Sequence, residues 1–349
     1  MSRTRSSALH WSLYPAARFM EFAADWDALA RAGAATPALA SELVAPLLDH
    51  FGEPRAVLAC CHANAGSDAP PLAMGVLAPA GRGWSTLQPP QAPLGLWLQG
   101  PGQDTSALLR SLLRALPGWP ALVALTQLDP DLLPRQPDAG RLRTLDYIDT
   151  ARITLKGDFD DYWQARGKNL RANLKKQRAR LEREGVVLRL EAVRDAGAME
   201  AAVADYARLE AAGWKAGGGT AVAPGDRQSS FYGAMLAAFA RHDGACVWRY
   251  WYGDRVAAMD LCIEDAGCLI VLKTAYDEAL AGSSSPALLM REEATRALFE
   301  AGRYSRIEFY GRVMEWHLRW TQEIRRLYHV NYYRWPLLAR AHAALRARA

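Results

Sequence analysis

The chain has 349 residues, half of them apolar, with 42 Lys plus Arg against 37 Asp plus Glu for a net charge of +5. That length and apolar content exclude a disordered or fibrous chain and leave room for two domains, each with its own core. No apolar run is long enough to span a bilayer and the opening MSRTRSSALHWSLYPAARF has no continuous apolar stretch, so a cytoplasmic protein without a membrane span or secretory leader is expected. The charge is uneven: residues 1–149 hold 11 basic and 13 acidic groups, a net of −2, and residues 150–349 hold 31 and 24, a net of +7. A basic second half suits an anionic ligand, a nucleotide cofactor and a tRNA alike. Cys60, Cys61, Cys246, Cys262 and Cys268 show no C-x-x-C pairing. Reduced, buried thiols are expected, with no metal site and no disulfide.

In chain order, residues 1–18 read as a mobile N-terminus. Phe19–Ala34 and Pro37–Phe51 read as amphipathic helices, and Arg55–His62 and Ala73–Ala78 as strands around a Gly, Ser and Pro loop. Trp84–Leu98, with three prolines, is loop or interrupted strand. Thr105–Leu116 places Leu108, Leu109, Leu112 and Leu116 on one helical face; Ala121–Leu128 is a strand, and a short strand follows near Leu142–Ile148. No catalytic constellation shows in this half, and His62 and the cysteine pair read as structural. The second half starts near Thr150 with a strand at Ile153–Leu155 and a helix from Phe159. The run ARGKNLRANLKKQRARLEREG then sets Leu170, Leu174, Gln177 and Leu181 on one face and crowds eight cations onto the rest. Two acids are too few to pair them along the helix. Val186–Val193 is a strand, Ala198–Ala212 and Ser229–Arg241 are helices, and Ala245–Tyr252 with Arg255–Glu264 is a hairpin turning at Gly253–Asp254. Asp260 lies inside the apolar second strand of that hairpin, where an acid must be paired or must work.

The stretch Gly267–Gly302 organises the rest. Cys268–Leu272 is an apolar strand that ends in Lys273, Thr274, Tyr276 and Asp277. A small-residue loop, Ala279–Ser285, leads to a helix with Ser285 as N-cap, Pro286 as first residue and Gly302 just past its end. Strand, loop and helix start read either as an ordinary well-capped strand-to-helix connection or as an anion cradle, in which free backbone N–H groups and the helix dipole face the loop. After it come a strand at Arg306–Tyr310, a segment holding Glu315, Trp316 and His317, a closing strand at Tyr328–Trp335 and a helix from Pro336 to Ala347.

Lys273, Tyr276, Asp277, Pro286, Leu288 and Leu289 resemble the K-x-x-Y-D strand, small-residue loop and P-G-x-L-L helix start of the FemAB-like, or CelD-like, branch of the GNAT acyltransferase superfamily. Ala287 stands where that branch usually has glycine. Further matches are Arg166, Asn169, Arg171, Asn173 and Arg178 on the basic helix, Leu209 with Trp214 and Lys215, Phe309 with Gly311, and Trp320 with Thr321; a usual lysine is replaced by His317 or Leu318. The resemblance implies an α/β fold of tandem GNAT-like domains with mixed central sheets flanked by helices. Residues 19–149 would be a degenerate first domain and 150–349 the domain with the active site.

It also implies an N-acyltransferase that moves an acetyl or longer acyl group from acyl-CoA to a small amine or amino-sugar, in polysaccharide, cell-envelope or secondary-metabolite synthesis. Two alternatives remain: aminoacyl transfer from a charged tRNA, and an inactive accessory protein of polysaccharide production. Such a transfer needs a held donor, a deprotonated amine and a stabilised leaving thiolate. Lys273, Gly282, Ser283, Ser284, Ser285, Ala287 and Leu288 are the candidates to hold acetyl-CoA. Asp277, Asp260 and Glu315 are the candidate bases, Asp277 first, and Tyr276 the candidate donor to sulfur. Arg166, Asn169, Arg171, Arg178, Trp214, Lys215, Trp316 and His317 are the candidates to bind the acceptor. No Ser-His-Asp or Cys-His order is present, which favours direct attack by the amine.

Overall fold

The computed structural model describes residues 9–33, 35–66, 69–212, 222–280 and 284–346. The chain divides into two compact units, Met1–Ile148 with Arg326–Ala349, and Asp149–Arg325. The division corrects the expected second domain: the last strand and helix join the first unit. Residues expected to be mobile also include a strand, β1 (His10–Pro15), which pairs antiparallel with β2 (Val57–His62) through Trp11, Leu13 and their neighbours.

Between them come a 3-10 turn at Ala16–Phe22, α1 (Ala23–Gly33) and α2 (Ser41–Phe51). β3 (Ala73–Ala80) follows β2, then β4 (Gly83–Thr86), β5 (Trp97–Gln99), α3 (Thr105–Ala115) and β6 (Leu122–Leu128). α3 buries Leu108, Leu109 and Leu112 against Trp11, Trp97 and Val123, and the Asp104 carboxylate caps it by accepting the Ser106 N–H at 2.9 Å. β4 and β6 are parallel neighbours and pair only at Trp84↔Val123 and Ser85↔Ala124. Just beyond that point Thr86 and Thr126 tie the strands together, and past them lies a cavity of about 290 Å³ lined by Gly95, Trp97, Gln127 and Asp129. Thr86 Oγ1 accepts the Thr126 N–H at 2.9 Å and meets Thr126 Oγ1 at 2.7 Å, and Gly95 lies so close that a Cβ there would come within 2.1 Å of the Thr126 carbonyl. β7 (Leu142–Thr154) then carries the chain into the second unit, absorbing the two short strands expected from the sequence.

In the second unit come α4 (Phe159–Gln164), α5 (Lys168–Arg183), β8 (Leu188–Val193), α6 (Met199–Ala211), α7 (Arg227–Ala240), β9 (Ala245–Tyr252), β10 (Arg255–Asp265), β11 (Cys268–Tyr276), α8 (Pro286–Ala301), β12 (Arg306–Glu308) and α9 (Glu315–Leu318). The strand order is β7-β12-β11-β10-β9-β8, antiparallel except for the parallel pair β11 and β12. Helix α8 connects that pair and packs Leu289, Met290, Ala294 and Leu298 onto the sheet, while α5 adds Leu170, Leu174 and Leu181 to the same core. Gly302 ends α8 at φ +65, the left-handed conformation that suits glycine. The chain returns to the first unit through β13 (Ile324–Tyr333), whose Tyr328–Tyr333 pair antiparallel with β6, and ends in α10 (Pro336–Arg346).

Candidate active site

β11 and β12 pair at Cys268↔Arg306, Leu269↔Ile307 and Ile270↔Glu308, and there the pairing stops. Two irregularities follow. Leu272 is an extra residue in β11, since Leu261 faces Lys273 and Cys262 faces Val271 in β10. Just past β12, Tyr310 takes φ +47, a conformation that side chains rarely adopt. A bulge in one strand and a left-handed turn after the other drive the two apart. A cavity of about 650 Å³ opens where they part. One wall is Val271–Thr274 and Tyr276, the other is Phe309, Gly311, Trp316, His317 and Trp320, and the start of α8 (Ser284–Leu288) closes one end.

Local sequence explains the helix start only in part. Ser285 stands at the N-cap and Pro286 at the first helical position, as expected, but the Ser285 side chain makes no cap bond. Instead the Ser285 carbonyl accepts from Leu288 and Leu289, and the Ser285 N–H donates to Gln177 Oε1 of α5 at 2.7 Å. Gln177, with its side chain among the apolar residues of α5, therefore reaches across to tie the cradle in place. Tyr252 and Ser284 hydroxyls lie 3.1 Å apart and hold the residue before it.

A buried charge network underlies one wall. Asp260 is fully buried and Arg291 nearly so; their ion pair measures 2.6 Å, and Thr274 Oγ1 donates to Asp260 Oδ1 at 2.5 Å. Burial pushes the Asp260 carboxyl up, against the opposing pull of the Arg291 guanidinium and the Thr274 hydroxyl. Arg291 and Thr274 line the cavity, and Asp260 sits directly behind them.

The opposite wall is aromatic. His317 is 4% exposed, stacks on Trp316 with ring centroids 3.6 Å apart, and meets the edge of Phe309 at 5.1 Å. Its Nδ1 accepts the Met314 N–H at 2.9 Å. Burial, aided by the nearby Arg291 charge, holds the imidazole pKa down to about 4. Trp320, fully buried, completes the wall; its carbonyl accepts from Tyr162 Oη at 2.8 Å and from Arg166.

The sequence-derived candidates divide accordingly. Lys273, Tyr276, Ser284, Ser285, Ala287, Leu288, Trp316 and His317 come together around the cavity. Gly282, Ser283, Trp214 and Lys215 lie outside the described residues. None of the three candidate acids lines the cavity: Asp277 forms an ion pair with Arg255 and caps the Ala279 N–H, Glu315 is exposed at the start of α9, and Asp260 is one residue removed. Arg166 supports Trp320, Asn169 is exposed, and Arg171 and Arg178 face a separate hollow of about 490 Å³ along α5, with Trp163, Gln164, Lys168, Lys175 and Glu292. Arg178 is bound to Glu292 at 2.9 Å and to Glu293. Arg291, Thr274 and Gln177 were not assigned to the site from sequence. The legible signal for Arg291 was a charge on the inward stripe of α8 together with an unpaired acid in β10.

Residues 168–318 match the family described as acetyltransferase (GNAT) domain. Among solved structures, FemX is similar at 9% identity over 91% of this chain and 98% of that one, TM-score 0.57. The C-terminal domain of a lysylphosphatidylglycerol synthetase from Agrobacterium fabrum, described as putative in its name, matches at 14% identity over 89% and 92%, TM-score 0.56. A conserved protein of unknown function from Bacteroides thetaiotaomicron matches at 12% identity over 89% and 97%, TM-score 0.51. A search of curated proteins finds no match. At these identities the structural likenesses establish the fold. The chain is an α/β protein of mixed sheets flanked by helices, the stretch that matches the GNAT domain lies within its second unit, and its fold is similar to that of FemX.

Proposed function

We propose that the second unit is an N-acyltransferase that transfers an acetyl or longer acyl group from acyl-CoA to a small amine or amino-sugar acceptor. The observation that carries this reading is the cavity where β11 and β12 part, with a helix start at one end. Such a cavity fits a long donor with a phosphate end. The α8 start offers the Ala287 N–H and the positive end of the helix dipole, while Lys273 and Arg319 add cations to the lining. An acyl-CoA supplies an activated thioester carbon there, and drawing on that donor pool places the work in the cytoplasm.

The remaining roles belong to the chain's own groups. Thr274, with its proton directed at Asp260, can accept a hydrogen bond from the attacking amine, so Asp260 draws the amine proton away through the hydroxyl. Tyr276, on the cavity rim, can donate to the departing sulfur. The absence of a carboxylate from the described lining makes this relay preferable to direct deprotonation by Asp277. Calorimetric titration with CoA and acetyl-CoA tests the reading. Ala287→Asp puts a negative charge at the helix start and is expected to weaken both at least about tenfold. No binding of either by the unaltered protein sinks the proposal.

The hollow along α5 supports a second reading. Lys168, Arg171, Lys175 and Arg178 around Trp163 suit an anionic portion of the acceptor, or the backbone of an aminoacyl-tRNA donor. A gel shift with charged and uncharged tRNA separates the two. Salt-sensitive retention of tRNA without CoA binding would favour aminoacyl transfer. The open cavity, which Trp316 lines and does not fill, weighs against the inactive accessory role.

A further inference from the structure

The imidazole of His317 is arranged as a hydrogen-bond donor. Its Nδ1 is taken by the Met314 N–H, so in the neutral ring the proton sits on Nε2. The ring is 96% buried, counted from its 4% exposure, yet it lines the cavity, and Nε2 has no protein partner among the described residues. Trp316 covers one face and Phe309 meets the ring edge-on, which fixes the plane. Arg291, packed against the same aromatic group with its guanidinium 5.5 Å from the Phe309 ring centre, is the charged group on this side and opposes a second cation. Lys273 and Arg319 are further cations of the lining, and among the described residues no acid lines it to stabilise an imidazolium. Burial and the cations around it favour the neutral ring, and the geometry leaves one N–H directed at the ligand space.

Resting on the acyl-CoA reading above, we infer that His317 Nε2–H donates to the thioester carbonyl oxygen of the bound donor and is a catalytic residue of the electrophilic kind, not a base. As the amine nitrogen bonds to the carbonyl carbon, negative charge gathers on that oxygen, and a fixed donor in a dry wall stabilises it. The C–N bond forms, the C–S bond breaks, and sulfur leaves as the thiolate that Tyr276 meets. The amine proton departs through Thr274 towards Asp260. The Nε2 proton stays on His317 throughout.

Two substitutions separate this role from mere packing. His317→Asn keeps an oxygen placed to accept the Met314 N–H and loses the cavity donor. His317→Gln loses that bond and keeps an N–H near the Nε2 position. With [1-13C]acetyl-CoA, the carbonyl resonance is expected to move downfield on binding to the unaltered protein, to lose that displacement in the Asn variant and to retain it in the Gln variant. Acetyl-CoA affinity should fall about three- to tenfold in the Asn variant while CoA affinity stays within about twofold. Once an acceptor is in hand, turnover should drop about 10²–10³-fold. Nitrogen-15 shifts of His317 at pH 7 should show the Nε2–H tautomer. A carbonyl shift unaltered by His317→Asn, or a charged or Nδ1–H ring, would overturn the inference while leaving donor binding intact. If CoA itself fails to bind, the donor site and this inference fall together.

Discussion

Both units build a strand, a helix and a second strand parallel to the first, and in both the parallel pair separates after two or three residues. In the first unit Thr86 and Thr126 bond across the separation and Gly95 seats on the Thr126 carbonyl, which leaves past them a cavity of about 290 Å³ against about 650 Å³ in the second unit. Its helix start is capped by the Asp104 carboxylate, which also repels an anion. In the second unit the strands diverge into a cavity, the helix start has no side-chain cap, and a glutamine from another helix holds only its first amide. A left-handed residue stands at the end of the second strand in each case, Gln127 at φ +43 and Tyr310 at φ +47. Strand order alone thus does not make a site. What fills the gap, and what charge guards the helix start, decides it.

The open gap needs internal support, and breaking that support should have the largest effect. Arg291→Met leaves Asp260 buried and unpaired, so a loss of about 3–5 kcal/mol is expected in urea unfolding. Adding Asp260→Asn should recover part of it. A loss below about 1 kcal/mol would show that the ion pair does not brace the cavity. Next comes acid. The His317 pKa lies at about 4, below its ordinary value, so the folded state resists the proton that the unfolded chain accepts. Its contribution is full above about pH 6.5 and is lost as pH falls toward 4, by up to roughly 3 kcal/mol. Urea unfolding at stepped pH should show this fall, and His317→Gln should flatten it.

In the first unit, Gly95→Ala drives a methyl group into the Thr126 carbonyl and should cost about 1–3 kcal/mol by thermal unfolding, with no change in CoA affinity. A change in CoA titration would contradict the view that this unit's narrowed gap takes no part in holding CoA. Smallest is Gln177→Ala, which removes the bond to the Ser285 N–H. About 1 kcal/mol of stability should go, and calorimetry should show CoA affinity altered through the loosened helix start.

Much of this was legible in the sequence, because it rests on local patterns. The leucine spacing of α3 and α5, Pro286 and Gly302 around α8, and the turn between β9 and β10 are signals carried by neighbouring residues. Strands were harder. β1 is only six residues long, ends in Pro15 and exists because β2 offers it an edge, and β7 reads as two fragments because its middle alternates weakly. The site was legible where it is a chain segment, from Lys273 to Leu288, and illegible where it is a meeting of segments. Asp277 follows the strand end in sequence, but Arg255 of the adjoining hairpin claims it. Arg291, Gln177 and Thr274 acquire their roles from partners 31, 108 and 14 residues away, distances at which no spacing rule operates.

The fastening of α5 to α8 has a consequence of its own. Gln177 holds the Ser285 amide, and Arg178 grips Glu292 and Glu293, the latter shared with Tyr250 at 2.6 Å. The cationic helix and the helix start are therefore bolted together at consecutive residues. An anion that settled against α5 would compete for Arg178 and shift the bolt, and a ligand at the helix start would feel it. Thermodynamic linkage makes that influence mutual: by whatever factor one ligand changes the other's affinity, the second returns the same factor to the first.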